Sequence, residues 1–71
     1  MNTVLNACEK WLSEMNVKTI ARPTCLMVSR DDVVNNLGDT DEVLKALREA
    51  TSSSKLFWAG KDDDYLYLES F

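Results

Sequence analysis

A chain of 71 residues with no histidine, two cysteines and twelve acidic against eight basic residues has room for one domain and a net charge of −4. The lack of histidine removes the usual general base, the commonest zinc ligand and every Ser–His or Cys–His nucleophile arrangement. No apolar run approaches the ~20 residues that span a bilayer, and the start lacks the basic and apolar regions of a signal peptide, so the expectation is a soluble, cytoplasmic protein.

In chain order, residues 3 to 15 carry the clearest helical period. Val4, Cys8, Trp11, Leu12 and Met15 recur at steps of three and four, and Leu5 and Ala7 widen the stripe. Asn2 or Thr3 can cap its start, and Asn16 can end it in a left-handed conformation. The stripe is wide for a small core. It either packs on later helices or forms a dimer or partner face containing Trp11. Cys8 and Cys25 stand in no metal-like spacing and read as reduced core thiols.

From Val17 to Val28 the pattern is irregular. Pro23 lacks an N–H and biases Arg22 away from helix, so this segment is read as extended or looped, with Cys25 to Val28 forming a short strand or a buried connection. Ser29 followed by Asp32, then Asp39 followed by Glu42, are two reciprocal helix-start signals. They predict a helix of roughly two turns ending near Leu37 and a second from Thr40 to Ala50, which buries Val43, Leu44, Leu47 and Ala50. Gly38 between them can take a positive φ, so the two helices meet across a very short turn. Asp41 with Lys45 and Lys45 with Glu49 stand one turn apart and can pair weakly.

After Thr51 to Ser54, residues 55–59 and 65–71 are rich in strand formers and flank the turn composition Gly60-Lys61-Asp62-Asp63-Asp64, which predicts a β-hairpin. Leu66 and Leu68 share its buried face, and Tyr65 and Tyr67 face outward. The three aspartates do not match the alternating ligand positions of a calcium loop. They suit a solvated turn that discourages edge pairing. Neither a metal nor a cofactor is expected.

Val33, Leu37, Leu44 and Leu47, with Gly38 one place after Leu37, have the spacing that locks a helix pair, and this spacing resembles the helix-turn-helix pattern. A hairpin directly after the second helix looks like the wing of winged-helix domains. The resemblance covers about residues 29–71. It departs at Val34, where the family has a small residue. It implies an α+β fold, a small winged-helix-like domain over residues 1–71 with three helices and a C-terminal β-hairpin, in which the strand before the helix pair often joins the hairpin. It also implies DNA binding, with the second helix in the major groove and the hairpin tip at phosphate.

Charge opposes that use. Residues 1–30 carry four cations and two anions, and residues 31–71 carry four cations and ten anions, so the acidity falls on the helix pair and hairpin. The groove-reading positions hold Asp39, Thr40, Asp41 and Glu42, and affinity for DNA rests largely on lysine and arginine. Only Lys45 and Arg48 help on that helix. The same surface, with Trp58, Tyr65 and Tyr67 as aromatic contacts beside Asp62 and Asp63, suits a basic protein surface, because aromatic side chains supply interface energy and opposed charge sets approach. The expected function is therefore a non-enzymatic, acidic interaction module, a regulator or inhibitor that occupies a nucleic-acid-binding protein surface; the alternative is a winged-helix DNA-binding regulator. Two carboxylates could still do acid–base chemistry, but such a pair needs a pocket that separates their pKa values. A fold of this size has little interior for one.

Overall fold

The computed structural model describes residues 3–71. Three helices and four strands follow in the order α1 (Thr3–Glu14), β1 (Thr19–Ala21), β2 (Leu26–Ser29), α2 (Arg30–Asn36), α3 (Thr40–Thr51), β3 (Leu56–Lys61) and β4 (Tyr65–Ser70). The strands form one antiparallel sheet in the order β1-β2-β4-β3. The domain is thus α+β, as the pattern predicts. Its strands are interspersed, two before and two after the helix pair, which corrects the expectation of a C-terminal hairpin alone. The residues read as extended or looped before Ser29 supply the extra pair: Thr19 faces Val28 and Ala21 faces Leu26, while Leu26 faces Leu68 and Val28 faces Leu66.

Period two along the strands decides which sheet face the helices cover. Leu26, Val28, Leu56, Leu66 and Leu68 point to that face and are buried with Leu5, Cys8, Leu12, Val17, Val33, Val43, Leu44 and Leu47. Val4, Trp11, Leu37 and Trp58 pack against this cluster. Trp11 is therefore half-buried against the protein's own core. Burial pushes the Cys8 thiol up to about 11, so it stays protonated and inert. Val34 is 52% exposed and does not hinder the approach of α2 to α3. Ala50 is exposed rather than buried; it lies over a shallow groove with Ala7, Lys10, Trp11 and Glu14, where the last turn of α3 passes α1.

The junctions follow from local chemistry. Asn16 has φ 61° and ends α1 in the left-handed region, and Ser52, at φ 53°, does the same for α3. Gly38 has φ 98°, a value L side chains rarely adopt, and its N–H donates to the Val33 carbonyl at 2.8 Å. The hairpin turn is shorter than the composition suggests. Gly60 and Lys61 belong to β3, because a bulge between Trp58 and Gly60 restores their pairing with Tyr67 and Leu66.

Candidate functional site

Two hydrogen bonds gather the acidic segments at one end of the molecule. The Arg30 N–H, first in α2, donates to the Asp64 carbonyl at 3.0 Å and holds the hairpin turn against that helix start. The Trp58 indole N–H donates to the Thr40 carbonyl at 3.1 Å and ties the start of α3 to β3. Asp31 and Asp32 occupy the first turn of α2, and Asp41 and Glu42 that of α3. Carboxylates are favoured there by the helix dipoles. With Asp39 and the turn residues Asp62, Asp63 and Asp64, eight of the twelve acidic residues belong to this end.

They divide into two kinds. Asp32, Asp39 and Asp62 are engaged in holding the backbone. The Asp39 carboxylate accepts from the Asp41 N–H at 2.8 Å, and the Asp32 carboxylate accepts from the Lys18 N–H at 2.9 Å. Both reciprocal helix-start signals therefore form by half. Ser29 Oγ accepts from the Asp32 N–H, but the Ser29 N–H goes to the Lys18 carbonyl, so Asp32 turns to the neighbouring strand instead. Asp39 reaches Asp41 rather than Glu42, which leaves the Glu42 side chain outward.

Asp62 is the organiser of the hairpin turn. One carboxylate oxygen accepts from the Asp64 and Tyr65 N–H groups at 2.9 and 2.7 Å, and the other accepts from the Tyr67 hydroxyl. The Tyr67 hydroxyl, followed by the two N–H groups, holds the Asp62 carboxyl below its ordinary value. The same bond raises the Tyr67 hydroxyl, since its proton is needed for it. By contrast, Asp31, Asp41, Glu42, Asp63 and Asp64 are exposed, and no side-chain hydrogen bond or ion pair engages them among the described residues. The weak pairing of Lys45 with Asp41 and Glu49 is likewise absent there.

The other expected contact residues are placed as follows. Lys45 is exposed on α3, and Tyr65 and Tyr67 are half-buried on β4. Trp58 is half-buried, with its N–H committed to Thr40. The Arg48 guanidinium donates from Nε and from a terminal nitrogen to the Leu56 carbonyl at 2.9 and 2.8 Å, which fastens α3 to β3. Three of the other cations have neighbours as follows. Lys18 lines a shallow depression with Asp31, Asp32 and Asp64. Lys10 lies with Glu9 and Glu14 along α1. The Arg22 side chain meets Met27 Sδ on the sheet.

No group of three or more His, Cys, Asp or Glu side chains could hold a metal ion among the described residues, and none of their helices is long and apolar enough to cross a membrane. Sequence reasoning finds the capping residues because their signals are local. It misses the captures of Trp58 and Arg48, which depend on chain segments eight or more residues away. No family model, curated protein or solved structure matches the chain.

Proposed function

We propose that this chain is a small, winged-helix-like protein-interaction module whose acidic end engages a basic protein surface, acting as a regulator or inhibitor of a nucleic-acid-binding protein. One observation carries this: the five unengaged carboxylates of Asp31, Asp41, Glu42, Asp63 and Asp64 ring the helix starts and hairpin turn, where a groove-reading relative needs cations. The winged-helix reading is supported by the element order and by β2, the strand before the helix pair, lying beside β4 of the hairpin. Opposed charge would steer and orient the complex, with the rim carboxylates acting mainly on association rate and salt dependence. Tyr65, which lines a depression with Asp31, Asp32 and Asp64, would complete the contact, and Asp62, Trp58 and Arg48 would hold the surface in shape.

DNA binding by the same face is the second reading, favoured by the succession of helix, glycine turn, helix and hairpin. A labelled-duplex titration at low salt separates the two. Binding that fades as salt rises supports the DNA reading. No duplex binding, together with one stoichiometric protein partner on co-purification from the native source, supports the interaction module.

A further inference from the structure

We draw no further inference here: the strongest candidate, the sheet face that the helices leave open, with Ile20, Met27 and Tyr67 in one row across β1, β2 and β4 and Phe57 stacked on Phe71 beside it, is an unpartnered apolar surface, and nothing in the structure shows what covers it.

Discussion

The acidic end and the open sheet face are built partly from the same hairpin, yet they sort their side chains by opposite criteria. At the acidic end carboxylates are divided between those that hold backbone N–H groups and those that hold nothing. On the open face the groups are mostly apolar, with the Arg22 side chain lying against Met27 Sδ. The contrast teaches that one small sheet can carry two surfaces of different chemistry. Under the proposed reading it is the end that would set the approach to an oppositely charged partner. The buried side of the sheet underlies both, since the same strands position each surface.

The largest effect should come from breaking that shared support. Leu68 is fully buried, and Leu68→Ala should cost about 2 to 5 kcal/mol in urea unfolding. For a domain of this size that is a large part of its total stability, and both surfaces should be lost together. Trp58→Phe keeps the ring but removes the donor to Thr40; it should cost about 0.5 to 1.5 kcal/mol and loosen the start of α3 relative to the hairpin, read as faster amide exchange at Asp41 and Glu42.

Within the acidic end the two kinds of carboxylate should separate cleanly. Asp39→Ala removes a cap and should cost about 1 kcal/mol, whereas Asp63→Lys should leave the unfolding midpoint nearly unchanged. The effect of the Asp62–Tyr67 bond is best read through pH. Asp62 is depressed below 3.8 in the fold, so its contribution is complete above that value and is lost as pH falls through the lower folded pKa. Tyr67 is raised above 10.0, so its contribution is present below that value and is lost as pH rises through the higher folded pKa. The stability gap between wild type and Tyr67→Phe should therefore hold steady near neutral pH and narrow at both extremes.

How much of this was readable from residues alone depends on the range of each interaction. Both helix starts, the positive φ at Gly38 and the alternation of Leu66 and Leu68 against Tyr65 and Tyr67 rest on neighbours within a few residues, and all are present. The strand at Thr19–Ala21 was not readable, since three residues carry too little alternation and gain their order only by pairing with β2. The bulge before Gly60 was hidden for the same reason: it exists only relative to β4. Which carboxylates stay free could not be foreseen either. Asp32 is drawn off by Lys18 and Asp62 by Tyr67, and in sequence both look like their unengaged neighbours Asp31 and Asp63.

The most direct test of the acidic end as a protein-binding surface is quantitative co-purification from the native source. Wild type would be compared with the triple variant Asp41→Lys, Glu42→Lys, Asp63→Lys, after circular dichroism has shown that both are folded. The expected result is one stoichiometric partner held by wild type and lost by the triple variant, with retention by wild type falling as salt is raised. A partner held equally by both chains would contradict the proposed surface.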